Sequence, residues 1–238
     1  MIVESRDAAA HGGPPMLTDD TGTPSRGSWE ILAYFTLDRR GREIWFESPV
    51  IDVTYGIGQQ LSLTVGLPWT IWFRPGKTPL SGLGNIFVAL KWRFFELPRQ
   101  RFAIAWTPQL ITNSPTSAAD QGIVPRGTSF QFPLQFQKDV GPVDFVLELG
   151  FRVNQVGGHE WLYGLVIGWN IVSSFELMAE VFGLAPTKFS RTEVVFNVGL
   201  CWRFHRLVSL IASAGRSFRR SSSGESNLIA LLGVGLTL

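Results

Sequence analysis

Residues 82–96 read GLGNIFVALKWRFFE and alternate between two kinds of side chain. The even positions from 86 to 94 are large and apolar, whereas the odd positions are mostly small, polar or charged, with Phe87 and Phe95 as exceptions. A period of two over about ten residues predicts a β-strand with two unlike faces. A single strand does not show whether its apolar face meets a protein core or lipid, so the rest of the chain has to distinguish the two.

The composition narrows the class of protein. Of the 238 residues, 45% are hydrophobic and 17% are charged, below the share of about a quarter that is typical of soluble domains. The net charge of +2 and the lack of a Lys/Arg run argue against nucleic-acid binding. Cys201 is the single cysteine and the three histidines are scattered, so we expect no disulfide framework, no metal site and no cofactor.

The N-terminal residues 1–27 are rich in Gly, Pro, Asp and Thr, which predicts a disordered or flexible segment ahead of a folded domain at residues 28–238. No signal peptide is visible, and Ala8-Ala9-Ala10 is either a cleavage-site remnant or a chance run. No apolar run approaches the length of about 18 residues that a membrane helix needs. A soluble β protein and a transmembrane β-barrel therefore remain, since a barrel also satisfies its backbone polar groups in lipid.

From residue 28 onward the alternation recurs in segments near the length of about 9–11 residues that crosses a bilayer as a tilted strand. No segment has the period of about 3.6 residues that marks an amphipathic helix. The pattern predicts twelve strands, at residues 28–38, 43–55, 60–68, 84–96, 101–112, 128–138, 142–154, 160–171, 174–184, 192–205, 207–216 and 226–238.

The predicted connections differ in length at the two ends of these strands. After a first short turn at 39–42, short connections at 56–59, 97–100, 138–141, 172–173 and 205–206 alternate with longer ones at 69–83, 113–127, 155–159, 185–191 and 217–225. Outer-membrane barrels show this asymmetry, with tight periplasmic turns and longer outer loops. A soluble meander has no reason to collect its long loops at one end.

The apolar faces favour the barrel as well. One face is almost entirely large and apolar at alternate positions of 61–67, 130–136, 143–153 and 194–204. Twelve such faces pointing inward would overfill a closed interior at native packing density, so we expect them to face lipid. The nine tryptophans lie mostly toward strand ends, as in the girdles at membrane interfaces, although ordinary core tryptophans are the alternative.

Several short motifs resemble those of the outer-membrane family named for the meta-pathway of phenol degradation. They are GSWE at 27–30, DVTYGIG at 52–58, LSLTVGLP at 61–68, GLGN at 82–85, LKWRF at 90–94, PQL at 108–110, YG at 163–164 and AE at 179–180. The resemblance spans nearly all of residues 28–238. It implies a barrel in the outer membrane of a Gram-negative-type bacterium that passes small organic molecules, but it carries over no particular cargo.

The polar faces predict which side chains line the lumen. With the N-terminus in the periplasm, Lys91 and Arg93 face the periplasmic half of the lumen. Such charges pair with one another, because an unpaired desolvated charge is costly. They form a constriction that selects permeants, a salt-bridged wall that stiffens the barrel, or both. The predicted lumen and permeant-lining residues are Glu30, Asp52, Lys91, Arg93, Gln109, Glu148, Arg152, Glu176, Glu180 and Arg203.

Catalysis has weak support in the sequence. A hydrolase needs a nucleophile beside a histidine with an orienting partner. His205 near Ser209 and His159 beside Glu160 show no recognisable spacing of this kind, so we expect no enzyme activity. The two longest predicted loops, 69–83 and 113–127, are either lids over the barrel mouth or disordered surface loops, and the first suits aromatic or lipopolysaccharide contacts.

The sequence therefore predicts an all-β fold, a monomeric transmembrane antiparallel up-and-down β-barrel of about twelve strands in the bacterial outer membrane. At this size the lumen is narrow or partly plugged. Its expected partners are membrane lipids and lipopolysaccharide, the outer-membrane assembly machinery, and a small hydrophobic or aromatic permeant. The last strand runs to Leu238, although such barrels usually end on an aromatic residue. The alternatives are a non-transporting structural or envelope barrel, an outer-membrane hydrolase and a soluble lipocalin-like binder.

Overall fold

The computed structural model describes residues 14–113, 115–189, 192–218 and 226–238. They form a closed antiparallel β-barrel of 12 strands, which confirms the predicted fold. β1 pairs with β2 on one side and with β15 on the other, and this pairing closes the sheet. Its fifteen segments are β1 (Trp29–Arg40), β2 (Glu43–Gly56), β3 (Leu61–Phe73), β4 (Leu80–Leu83), β5 (Ile86–Leu97), β6 (Phe102–Trp106), β7 (Gln109–Thr112), β8 (Ser129–Gln131), β9 (Leu134–Val140), β10 (Val143–Asn154), β11 (Glu160–Val172), β12 (Phe175–Pro186), β13 (Glu193–His205), β14 (Val208–Ser217) and β15 (Ser226–Thr237).

Three of the strands are interrupted, which is why fifteen segments make 12 strands. β4 and β5 form one strand, β6 and β7 a second, and β8 and β9 a third. Pro108 and Pro133 lie at two of the breaks and have no N–H to donate to the sheet. Their carbonyl groups still accept hydrogen bonds from Leu90 and Thr107 at 3.0 and 3.1 Å, so the wall stays continuous.

The outer face of the barrel is apolar, as predicted. Val88, Leu90, Trp92 and Phe94 of β5 are all exposed, whereas Lys91 between them points into the lumen. Seven tryptophans are also exposed on the outside: Trp29, Trp69, Trp92, Trp106, Trp161, Trp169 and Trp202. In water an apolar belt of this extent would be unstable, and in a bilayer it is the surface that lipid covers.

The two ends of the barrel differ in the length of their connections, as the sequence indicates. The turn end carries the connections at 57–60, 98–101, 141–142, 173–174 and 206–207, and the loop end carries the longer ones together with the short β1–β2 turn at 41–42. The predicted loop 69–83 was wrong in its bounds, because β3 continues to Phe73 and pairs with β4. Trp69 points outward and Trp72 inward. Because a large apolar residue lies on each face, the alternation of polar and apolar residues that marks a strand is absent there.

Helices contribute little to this fold. α1 (Ser117–Asp120) lies in the connection between β7 and β8, and a short 3-10 helix (Pro98–Gln100) forms a turn between β5 and β6. None of the helices in the described ranges is both long and apolar enough to span a bilayer.

Candidate functional site

Residues 14–21, here called the plug segment, lie inside the barrel lumen. Met16, Thr18 and Thr21 are only 5%, 2% and 3% exposed, although they belong to no strand. The chain then leaves through the turn end, where Gly27 N–H donates to Gly56 O at 2.8 Å, and enters β1. The plug segment therefore crosses the interior as irregular chain with turns and bends, surrounded by the barrel wall.

Carboxylates of the wall hold the backbone of the plug segment. Glu180 of β12 accepts hydrogen bonds from the N–H groups of Leu17 and Thr18 at 3.1 and 2.6 Å. Glu148 of β10 accepts from the N–H of Asp19 at 3.2 Å. A chain without strand pairing needs other acceptors for its buried N–H groups, and these two side chains supply them.

An ion pair from the opposite wall completes this anchoring. Lys91 Nζ of β5 lies 2.7 Å from Asp19 Oδ1 and 3.4 Å from Asp20 Oδ1. The side chain of Lys91 is 11% exposed, so solvent screens these contacts less than it would at a surface. Lys91 thus joins the plug segment to the wall rather than standing free in a pore.

Packing also fits the plug segment to this lumen. Met16 packs in an apolar cluster with Val146, Val166, Met178, Cys201 and Ile211. Gly164 and Gly199 make room for it, because a Cβ added at Gly164 would lie 1.9 Å from Thr18 Oγ1, and one at Gly199 would lie 2.1 Å from Met16 Cε. A larger residue at either position would displace the plug segment.

Residues 14–27 belong to the segment that the sequence predicted to be disordered or flexible, and that description of residues 1–27 stays a prediction. Their Pro, Asp and Thr residues make no strand or helix, but the same polar groups bond to the polar lumen wall. Residues 1–13 of the predicted segment lie outside the described residues. The domain boundary at residue 28 stays a prediction.

Two chambers of the lumen lie beside the plug segment. The loop-end chamber has a volume of about 560 Å³; it reaches the loop end at Arg40 and also runs along the plug segment to Thr54 and Ser62 near the turn end. The turn-end chamber has a volume of about 620 Å³ and reaches the short turns. Met16 and Asp19 line both chambers, so the two cavities meet across this segment.

The structure brings nine of the ten predicted lumen residues to the interior. Glu176 and Arg203 line the turn-end chamber, and Glu180 contacts the plug segment. Arg93 lines neither chamber, because its guanidinium donates to Gln59 O at 2.9 Å at a turn and pairs with Glu96 at 3.5 Å. The residues that line the loop-end chamber are Glu30, Asp52, Lys91, Gln109, Glu148 and Arg152. A role of any of them toward a permeant stays a prediction.

Sequence reasoning missed other interior groups. Asp19 and Asp20 lie in the segment that it treated as flexible. Glu47 and Trp45 of β2 point inward because the register shifts between Glu47 and Val50, which moves odd positions to the inner face. The Ser48-Pro49 pair inside an alternating strand is the signal that could have indicated this shift.

One predicted lid folds over the loop end of the barrel. In the connection between β7 and β8, Ala118 and Ile123 are buried, and Ile123 O accepts a hydrogen bond from Trp45 Nε1 at 3.1 Å. Trp45 stacks on Trp72 with ring centroids 5.3 Å apart. The connection at 74–79 is mostly exposed instead. The mouth is therefore narrowed from one side.

Comparison with solved structures identifies barrels of similar fold. The COG4313 outer membrane channel from Pseudomonas putida F1 matches with a TM-score of 0.67 and 13% identity, over 92% of this chain and 98% of that one. The KdgM porin matches with a TM-score of 0.63 and 10% identity, over 87% and 98%. The NanC porin matches with a TM-score of 0.63 and 9% identity, over 88% and 100%.

An enzyme is also among the similar structures. An active-site mutant of the outer membrane phospholipase A from Escherichia coli matches with a TM-score of 0.50 and 12% identity, over 95% of this chain and 93% of that one. The fold is therefore shared by channels and by at least one hydrolase.

Sequence comparisons add no assignment. No family model matches the chain, and no curated protein matches it. The resemblance to the phenol meta-pathway family stays a prediction.

In the described part of the chain, no group of three or more His, Cys, Asp or Glu side chains could hold a metal ion. The fold, the apolar belt and these neighbours make the chain a transmembrane β-barrel of the bacterial outer-membrane type.

Proposed function

We propose that this barrel is an outer-membrane channel for small molecules, whose lumen the plug segment narrows. The observation that carries this proposal is the pair of chambers of about 560 and 620 Å³ that border residues 14–21. A purely structural barrel has no need of such space, and barrels of about eight strands fill their interior with wall side chains. Here a short peptide separates two cavities that would otherwise join.

The contacts of the plug segment suit a part that moves. It is held by side chains such as Glu180, Glu148 and Lys91 and not by pairing with a strand. Side-chain contacts to a single irregular segment break without unfolding the barrel, because the sheet closes independently through β1 and β15. A permeant that displaces the plug segment therefore leaves the wall intact.

The neighbours support a channel but not a particular cargo. The KdgM porin has also been solved in complex with disordered oligogalacturonate. That ligand carries many carboxylates, and this lumen carries Glu30, Asp52, Glu148 and Glu176 on its own wall. Like charges repel, so we do not propose an acidic sugar as the permeant of this chain.

Hydrolysis has less support than transport. Among the described residues, neither His159 nor His205 hydrogen bonds with a serine hydroxyl or a carboxylate, and the ring of each accepts from a backbone N–H at 3.3 Å. A hydrolase needs its base within reach of a nucleophile. Transport is therefore the function that the geometry supports best.

Planar bilayers test the channel proposal. We expect the full chain to give discrete but small current steps, since the plug segment narrows the path between the chambers. The Lys91→Ala variant provides the comparison, because it removes the cation that holds Asp19 and Asp20. If neither protein carries current, and neither passes small solutes in liposome swelling, the non-transporting structural barrel is the correct interpretation.

A further inference from the structure

The chambers of the lumen are lined by more acidic than basic residues. Among the described residues that line the loop-end chamber, seven carry carboxylates and three are basic, an excess of four. The described lining of the turn-end chamber has five carboxylates and two basic groups. A cleft lined by one sign of charge raises the local concentration of ions of the opposite sign. This lumen therefore attracts cations.

Two carboxylates of the loop-end chamber, Glu47 and Asp52 of β2, are here called the acidic patch. Among the described residues, no Lys, Arg or His nitrogen lies within 4.0 Å of either carboxylate. The three basic residues of the chamber have acidic partners elsewhere: Arg40 with Asp38, Lys91 with Asp19 and Asp20, and Arg152 with Glu160. The acidic patch thus has no cation of its own in the described chain.

Hydroxyl groups fix the orientation of the acidic patch. Asp52 Oδ2 accepts from the Tyr34 hydroxyl at 2.8 Å, and Glu47 accepts from the hydroxyls of Thr36 and Thr70 at 3.0 and 3.3 Å. Asp52 is 4% exposed, and its other oxygen, Oδ1, is buried without any hydrogen-bond partner among the described residues. A buried carboxylate oxygen without a donor is costly, so this atom lacks one partner that a ligand can supply.

The same chamber has an apolar wall on strands away from β2. β11, β12, β13 and β15 contribute large apolar side chains that point inward, whereas the outward positions of these strands face lipid. A ligand that fills the chamber therefore meets charge on one side and hydrocarbon on the other. The apolar lining consists of Leu162, Phe182, Leu184, Val195, Ile229 and Leu231.

From these features we infer that the loop-end chamber binds a small organic ammonium ion with an apolar body. The ammonium group donates to Asp52 Oδ1 and Glu47, and the body packs on the apolar wall. A volume of about 560 Å³ lies within the range of small-molecule sites. This inference deepens the proposed function, on which it rests for the passage of the ligand, but binding itself does not require that current flows.

Calorimetric titration of the full chain in detergent with 2-phenylethylammonium tests the site. We expect binding, and we expect the Asp52→Asn/Glu47→Gln variant to bind about tenfold more weakly or worse, because charge-assisted hydrogen bonds are lost. Both substitutions keep the size of the side chain, and heat-modifiable gel migration checks that the variant is folded. The uncharged 2-phenylethanol has the same ring. The native chain should bind it no more tightly than the variant binds 2-phenylethylammonium.

A matched control separates the acidic patch from the general charge of the lumen. Asp139→Asn removes one carboxylate from the turn-end chamber and should leave the affinity for 2-phenylethylammonium unchanged. Equal affinity for the charged and the uncharged compound, or an equal loss in the Asp139→Asn variant, would overturn the inference. Binding without any current in bilayers would support the site and contradict the channel, so the two proposals fail separately.

Discussion

Replacing Lys91 with alanine is expected to release the plug segment from the wall. The substitution leaves the carboxylates of Asp19 and Asp20 side by side in the lumen without their cation. Removing one partner of a buried ion pair costs about 3–5 kcal/mol. We take the lower value of about 3 kcal/mol, because the side chain of Asp19 is still 23% exposed. A loss of this size raises the population of the detached plug segment roughly a hundredfold.

Thiol labelling measures this release. A cysteine placed at Thr18, which is 2% exposed, should react slowly with a water-soluble maleimide in the native background and far faster with Lys91→Ala. A Cys201→Ala background removes the native thiol. Arg93→Ala is the matched control, since Arg93 bonds to Gln59 O and not to the plug segment. Equal labelling rates with and without the Lys91→Ala substitution would show that the ion pair does not hold the segment.

An arginine in place of Leu147 is expected to destabilise the barrel strongly in lipid. Leu147 lies near the middle of β10, is 41% exposed on the outer face and pairs across the sheet with Leu165. A cation on the lipid face near the bilayer midplane costs about 2–4 kcal/mol. Denaturant titration of the barrel in lipid vesicles should show a loss of this size in the free energy of unfolding.

Depth provides the control for this substitution. Val140 lies on the same outer face at the end of β9, two residues from Lys138, whose ammonium bonds to Gln100 O. Val140→Arg should cost only about 0–1 kcal/mol, because the interface tolerates a cation. If both variants lost the same free energy of unfolding, the outer face would not be immersed in lipid as the fold implies.

The strands and their faces could be predicted because alternation between neighbouring residues marks them, and this pattern needs no information from distant parts of the chain. Alternation placed most strand bounds within two residues, as in β10, predicted at 142–154 and observed at Val143–Asn154. It also placed Glu148 and Glu180 in the lumen, since parity alone assigns a side chain to a face. The uneven connections then identified the two ends.

The plug segment could not be predicted because its contacts are long-range. Thr18 and Glu180, joined by a hydrogen bond, are separated by 162 residues. The composition of a Pro- and Asp-rich stretch without periodicity does not distinguish a segment in water from one in a polar lumen. Gly164 and Gly199, small residues on the inner face, leave room for the segment in the wall.

The acidic patch was half predicted for a different reason. Asp52 follows the parity of its strand, but Glu47 lies beyond the register shift, so simple alternation assigns it to the outer face. Arg93 lies on the inner face, as alternation predicts. It is close enough to a turn for its guanidinium to bond to Gln59 O, so it does not line a chamber. Parity fixes the face of a residue and does not fix how far its side chain reaches.

Single-channel conductance in planar bilayers tests most directly whether residues 14–21 close the lumen. The comparison is between the full chain and a chain of residues 22–238, which keeps the contact of Gly27 with Gly56 at the turn end. We predict a several-fold larger conductance for the shorter chain, since the two chambers of about 560 and 620 Å³ then join into one path. Equal conductance of the two chains would contradict the role of the plug segment.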